Sequence, residues 1–168
     1  EPFANYDMLT GLPNRRYFFS QLQHLVSSSD GASIKSAIFS IDLDAFKSIN
    51  DSYGHEVGDE VLIAIGSRLQ KCVRDTDFVA RIGGDEFAII IKDLENVAVI
   101  SQLANRILQL LHEPISINTI ECNASASIGI AIFPDAGTTG ESLLKNADSA
   151  MYEAKRHGKG TIQVFTNE

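Results

Sequence analysis

Segments with apolar residues at helical spacing alternate with short apolar runs along this chain, and their order predicts a mixed fold. Pro13 precedes the first helical segment, Asn14 to Ser28, whose stripe is Tyr17, Phe18, Leu22, Leu25 and Val26. The polar residues Ser27 to Gly31 close it. Ala37 to Leu43 is a nearly continuous apolar run, the mark of a buried strand, and it ends at Asp42 and Asp44. An irregular stretch around Asn50 to Gly54 leads into a second amphipathic helix, Val57 to Val73, with Val61, Leu62, Ile65 and Leu69 on one stripe. Residues 77–82 and 87–91 have strand composition and flank Gly83-Gly84-Asp85-Glu86, which predicts a β-hairpin. A helix from Val97 to Leu111, a strand from Glu121 to Phe133, a helix from Glu141 to Arg156 and a strand from Thr161 to Phe165 complete the order.

Stripped of its edges this is β-α-β-β-α-β, an α+β, ferredoxin-like core with an added N-terminal helix and a C-terminal helix-strand pair. A right-handed crossover makes the first two strands parallel. The hairpin then returns antiparallel, so its tip lies at the carboxyl end of the first strand. Asp42 and Asp85, far apart in the chain, are thereby brought to one edge of the sheet.

The chain has 168 residues, 44% hydrophobic and 21% charged, which fits one globular domain over 1–168 with its core at about 5–166. A net charge of −8 speaks against a surface that grips nucleic acid. It leaves room for a small phosphate ligand held by a metal or a few local cations. No apolar run approaches the length of a membrane span, so no membrane contact is expected of this domain. Cys72 and Cys122 lack metal-ligand spacing and read as buried free thiols of a reducing, cytoplasmic compartment. The chain starts at Glu1 without a Met, so it is expected to be a piece of a longer protein, itself open to membrane anchoring.

The hairpin tip sets two adjacent carboxylates beside two glycines. Such acids repel and cost stability unless a cation offsets them, and glycine lets a ligand approach bare backbone. Taken alone, the tip also reads as a solvated polar turn. Joined by Asp42 and Asp44, it becomes a hard oxygen site suited to Mg²⁺ or Mn²⁺, ions that bridge nucleotide phosphates in phosphoryl transfer. Strand-end capping is the competing reading for the two aspartates. Lys47, one turn further on, either neutralises phosphate or is simply solvated.

These residues sit in ordered blocks that resemble the GGDEF domain, the diguanylate cyclase family that condenses two GTP into cyclic di-GMP. The blocks are Asp7-Met-Leu-Thr-Gly-Leu-Pro-Asn-Arg-Arg16, Asp42-Leu-Asp-Ala-Phe-Lys-Ser-Ile-Asn-Asp51, Gly54-His-Glu-Val-Gly-Asp59, the heptad Arg81 to Phe87, Ser127-Ile-Gly-Ile-Ala131 and Ala147-Asp-Ser-Ala-Met-Tyr-Glu-Ala-Lys155. They cover nearly the whole chain. The resemblance implies the palm-type, nucleotide-cyclase-like form of the core and a nucleotidyltransferase with two Mg²⁺ (or Mn²⁺) ions per active site. It makes Asp42, the Leu43 carbonyl and Asp85 the metal set, with Glu86 a further contact and Asp85 the general base on the ribose 3′-hydroxyl. Lys47 would steady phosphate charge in the transition state. Asn50 and Asp59 match the guanine readers, a carboxylate accepting from the ring donors while an amide serves the remaining edge. His55, Gly83, Gly84, Lys155 and Lys159 would complete the GTP site.

Gly158-Lys-Gly160 departs from the Gly-Arg-Asn usual in the family at that point. Lys159 keeps the charge and loses arginine's planar fork, so a weaker phosphate grip is expected. Ala45 stands where a bulkier residue is common. Arg74-Asp-Thr-Asp77 resembles the family's RxxD site, which binds the product away from the catalytic edge; a helix-end ion pair is the bland alternative. Arg106 is a candidate helper there.

Each link of the product joins two nucleotides, so the resemblance implies two copies of the domain facing each other across a two-fold axis. A mostly monomeric, weakly active piece is expected in dilute solution, governed by covalently linked sensory or phosphodiesterase domains. Two other functions compete. One is a catalytically silent GTP-binding regulatory module of a tandem cyclic di-GMP phosphodiesterase, and the other is a cyclic di-GMP receptor. The intact acids favour catalysis.

Overall fold

The computed structural model describes residues 4–28 and 34–167. Helix α1 (Arg15–Ser27) starts at Asn14, whose side chain accepts the Tyr17 amide at 3.0 Å. Of the polar run expected to close it, residues 29–31 lie outside the described residues. Strand β1 (Lys35–Asp44) is followed by α2 (Phe46–Tyr53), α3 (His55–Cys72), β2 (Phe78–Gly83), β3 (Glu86–Leu94) and α4 (Ala98–His112). Then come β4 (Ile115–Ile117), β5 (Ile120–Cys122), β6 (Ser125–Phe133), α5 (Gly140–Arg156) and β7 (Ile162–Val164).

The main sheet has the order β2-β3-β1-β6-β7. Strands β2, β3, β1 and β6 pair antiparallel in turn, and β7 adds parallel to β6. This is the expected α+β core, and β7 is the added edge strand. Alternate residues of each central strand serve opposite faces. Phe39, Ile41, Leu43, Phe87 and Ile89 pack with α3 and α4, while Ile38, Ala88, Ile90 and Ala131 pack with the two added helices, α1 and α5. Phe18 and Leu22 seat α1 on that second face with no exposure. Burial of such a side chain is worth roughly 1.5–3 kcal/mol. Helix α5 lies so close to β6 that a Cβ at Gly129 would collide with the backbone of Ala147 and Met151. That close approach fixes the helix whose last turn carries Lys155.

Two elements differ from expectation. The stretch around Asn50 is a helix, α2, not irregular chain. It runs only from Phe46 to Tyr53, entered through Ala45 in the left-handed region (φ 57°) and left through Gly54 (φ 93°), so its apolar period is too short to stand out. The run from Glu121 to Phe133 is two strands, because β5 pairs with β4 in a separate hairpin and β6 alone joins the main sheet. Cys72 and Cys122 are buried free thiols, and burial pushes both up from their ordinary values. No helix among the described residues is long and apolar enough to cross a membrane.

Candidate active site

Asp42 of β1 stands opposite Glu86 of β3, which folds the hairpin tip over the end of β1. The Leu43 amide donates to the Asp85 carbonyl at 3.2 Å, which sets Asp85 beside the end of β1. Burial, and then the Asp85 charge, push Asp42 up to about 7. Among the described residues its Oδ1 has no hydrogen-bond partner although it is buried, a costly condition for a carboxylate oxygen. Glu86 is also pushed up, by burial first and then by the Asp148 and Asp85 charges. The cluster is short of positive charge. No three His, Cys, Asp or Glu side chains converge as a ready metal cage among the described residues. Asp42, Asp85 and the Leu43 carbonyl nevertheless fit Mg²⁺, which is commonly held by one or two carboxylates with water and phosphate completing its shell.

Lys155, from the last turn of α5, places Nζ 3.3 Å from Asp42 Oδ2 and 3.3 Å from Asp44 Oδ1. Burial acts to lower its pKa, but the two carboxylates outweigh this and raise it. Asp44 is a buried hub. It accepts from the Ser127 hydroxyl at 2.7 Å, the Ser125 hydroxyl at 2.8 Å and the Gly160 amide at 2.9 Å. Burial would push Asp44 up, but these bonds and Lys155 hold it below its ordinary value. The two strand-end aspartates therefore divide the readings between them: Asp44 is a structural anchor, and Asp42 is left with an open oxygen. Lys159, at φ 63°, lines a neighbouring cavity of about 410 Å³ with Asp44, Ser48, Tyr53 and Ser125, and does not join the Asp42–Asp85 pair.

The hairpin turns through Gly83 and Gly84, at φ 158° and 53°. Arg81 braces this turn. Its Nε and Nη2 donate to the Gly84 carbonyl at 3.0 and 2.8 Å, and its Nη1 donates to Asp7 at 2.9 and 3.2 Å. Asp7 also accepts the Thr10 amide and hydroxyl. Burial pushes Asp7 up, yet its bonds from Thr10 and Arg81 hold it below its ordinary value. Asp7 and Arg81 belong to recognisable blocks, but sequence reasoning assigned them no role. The usable signal was the Asp7-x-x-Thr10 spacing of a self-capped turn. Asp148 went unassigned too; it accepts from the Ser40 hydroxyl and raises Glu86.

Helices α2 and α3 meet at Gly54. The Asn50 carboxamide lies over Gly58, where any Cβ would collide with Oδ1 and come 3.3 Å from the Phe46 ring. Asn50 is half-buried, with His55 and Asp59 exposed on the opening turns of α3. Asp59 lines a groove of about 610 Å³ with Leu9, Glu60, Ile63 and Ile117. An amide and a carboxylate thus share one helix junction, a pairing able to meet a purine edge. Lys47 is exposed on the first turn of α2.

Residues 4–161 match the family described as diguanylate cyclase, GGDEF domain. The chain belongs to the GGDEF family. It is 42% identical over 164 residues to signaling protein YkoW of Bacillus subtilis, covering 97% of this chain and 20% of that protein. Cyclic di-GMP phosphodiesterase PdeR of Escherichia coli is 38% identical over 165 residues, 98% of this chain and 24% of its own length. Diguanylate cyclase TpbB of Pseudomonas aeruginosa is 39% identical over 162 residues, 96% of this chain and 37% of its own length. The solved GGDEF domain of TpbB superposes with a TM-score of 0.92 at 38% identity, covering 96% of this chain and 94% of that one. This chain spans only a minor part of each full-length relative.

In this GGDEF domain Arg74 and Asp77 do meet. Asp77 accepts from the Arg74 amide at 3.0 Å, from its Nε at 3.2 Å and Nη2 at 3.1 Å, and from the Lys92 amide at 3.1 Å. The ion pair expected as the bland reading is formed, and it also borders a cavity of about 600 Å³ lined by Arg74, Asp77, Val99, Leu103 and Arg106. Asp77 is 2% exposed and Arg74 58%, so the guanidinium faces outward over a buried acid. Arg106 reaches the same cavity while donating to the Cys72 carbonyl at 2.7 Å. The cavity lies at the end of β3 remote from the hairpin tip.

Proposed function

We propose that this GGDEF domain is a diguanylate cyclase that condenses two GTP into cyclic di-GMP and two pyrophosphates. The observation that carries the reading is the Asp42–Asp85 pair, two adjoining acids of which one keeps a buried, unpartnered oxygen. Such a pair favours a divalent cation over any neutral ligand. The name of the relative TpbB as a diguanylate cyclase supports it.

In this reading Asn50 and Asp59 hold guanine, with His55 beside them, while Gly83 and Gly84 let the triphosphate approach the tip. Lys47, Lys155 and Lys159 meet phosphate oxygens. Asp42, the Leu43 carbonyl, Asp85 and Glu86 would hold two Mg²⁺ or Mn²⁺ ions, which would supply positive charge against the triphosphate. Asp85 takes the proton from a ribose 3′-hydroxyl. That oxygen attacks the α-phosphorus of the facing GTP, and the bond to pyrophosphate breaks. Repeated in the other direction, the step closes the ring, so two copies must face each other. The product then returns to Arg74, Asp77 and Arg106 as an inhibitor. GTP supply places the domain in the cytoplasm, regulated by domains linked to it in a longer chain.

A second reading is a GTP-binding module without turnover in a phosphodiesterase. It is favoured by the likeness to PdeR and by Lys159 and Gly160. One assay separates them. The domain is incubated at high concentration with GTP and Mg²⁺, and cyclic di-GMP is sought by chromatography. The cyclase reading expects product that vanishes in Asp85→Ala. GTP binding without product favours the second reading, and cyclic di-GMP binding alone indicates a receptor.

A further inference from the structure

We propose that Lys155 is a resident counter-cation that couples metal binding to nucleotide binding. Its ammonium holds Asp42 and Asp44 until a triphosphate draws it away, so a divalent ion binds well only together with the nucleotide. The inference rests on the cyclase-type site proposed above and adds a role for Lys155 beyond phosphate contact.

The geometry carries it. Lys155 Nζ is 3.3 Å from an oxygen of each aspartate, and the three side chains are 22%, 15% and 4% exposed for Lys155, Asp42 and Asp44. The two acids are not equivalent partners. Asp44 has Ser125, Ser127 and the Gly160 amide besides, so it is satisfied without the lysine. Among the described residues Asp42 has an oxygen with no partner, and Lys155 is the cation on its other oxygen. Any divalent ion taken up by Asp42 therefore meets a positive charge already on the same carboxylate. In a half-buried setting that repulsion is screened less than in water.

A triphosphate changes the balance by offering the ammonium several anionic oxygens. The lysine stem has four rotatable carbons, whereas α5 is locked against β6 at Gly129, so the side chain swings and the helix stays. Linkage then requires the effect to be mutual: the nucleotide raises metal affinity by the factor by which the metal raises nucleotide affinity. A lysine that only touched phosphate would leave nucleotide-free metal binding unaltered.

The test is Mn²⁺ binding to the whole chain, followed by electron paramagnetic resonance, with and without a non-hydrolysable GTP analogue. Lys155→Met is expected to bind Mn²⁺ about tenfold more tightly without the analogue and to lose most of the gain that the analogue confers, coupling factors of about 5–150 being usual. Lys155→Gln should behave alike, Lys155→Arg should stay near the wild type, and Asp42→Ala in the Lys155→Met background should abolish the gain. Thermal melting verifies that each variant is folded. If neither neutral variant binds Mn²⁺ more tightly than the wild type, while the wild type binds it with the analogue, this inference alone falls. If the wild type binds no Mn²⁺ even with the analogue, the cyclase reading falls with it.

Discussion

Asp42 and Asp44 project from the same face of one strand, yet their carboxyls live under opposite conditions. Asp44 is saturated by two hydroxyls, an amide and an ammonium, whereas Asp42 faces Asp85 with one oxygen open. Their effects on stability have opposite signs. Asp44 lies below its ordinary value, so its contribution is present above the unfolded value of 3.8 and fades as pH falls through the lower folded value. Asp42 is raised to about 7, so its contribution is full below 3.8 and is lost as pH rises through about 7. In the presence of a chelator, Asp42→Asn should therefore be more stable than the wild type at pH 7.5, by about 1–3 kcal/mol after allowance for solvent screening. The gap should narrow at pH 5. Thermal melts at the two pH values check this, and an equal gap at both would refute it. The acids themselves were legible in the sequence. Which of them was satisfied was not, because the deciding groups, Ser125, Ser127 and Gly160, come from β6 and the segment after α5.

At the scale of elements, the hairpin was readable because strand-forming runs flank an unmistakable Gly-Gly turn. Its brace was not. Arg81 sits in the heptad, but its partners are a carbonyl across the turn and an acid in the opening loop, and pairings of that kind carry no local periodicity. The Arg81–Asp7 pair is largely buried, at 15% and 19% exposure. Arg81→Met would strand Asp7 and free the Gly84 carbonyl, costing about 2–4 kcal/mol by analogy with broken buried pairs. Denaturant unfolding should show that loss. GTP turnover should fall further than substrate binding, because the tip carries Asp85. Unchanged turnover at saturating GTP would mean that the tip holds its position unaided. Helix α2 and the β4–β5 hairpin escaped notice for a simpler reason, each being too short for a repeating pattern.

Over the whole molecule, the two added helices convert a one-faced ferredoxin-like sheet into a layered body with apolar contacts on both sides. The β-α-β-β-α-β order was visible along the chain because its longer segments each repeat their period several times. One nucleotide per copy cannot close a cyclic dinucleotide, so product formation in the proposed cyclase needs an encounter between copies. Below the dimerisation constant, doubling the protein should raise the rate roughly fourfold, as for any two-body assembly. Initial rates across a dilution series test this alongside light scattering. Strict proportionality to protein would point to a pre-formed dimer or to independent copies. A last consequence concerns the sheet's outer rim. Gly160 moors the chain just ahead of β7 to the carboxylate that Lys155 also grips. Twisting that short border strand would thus tug on the acid cluster through a pair of contacts that bypass the apolar interior, making the rim a natural lever.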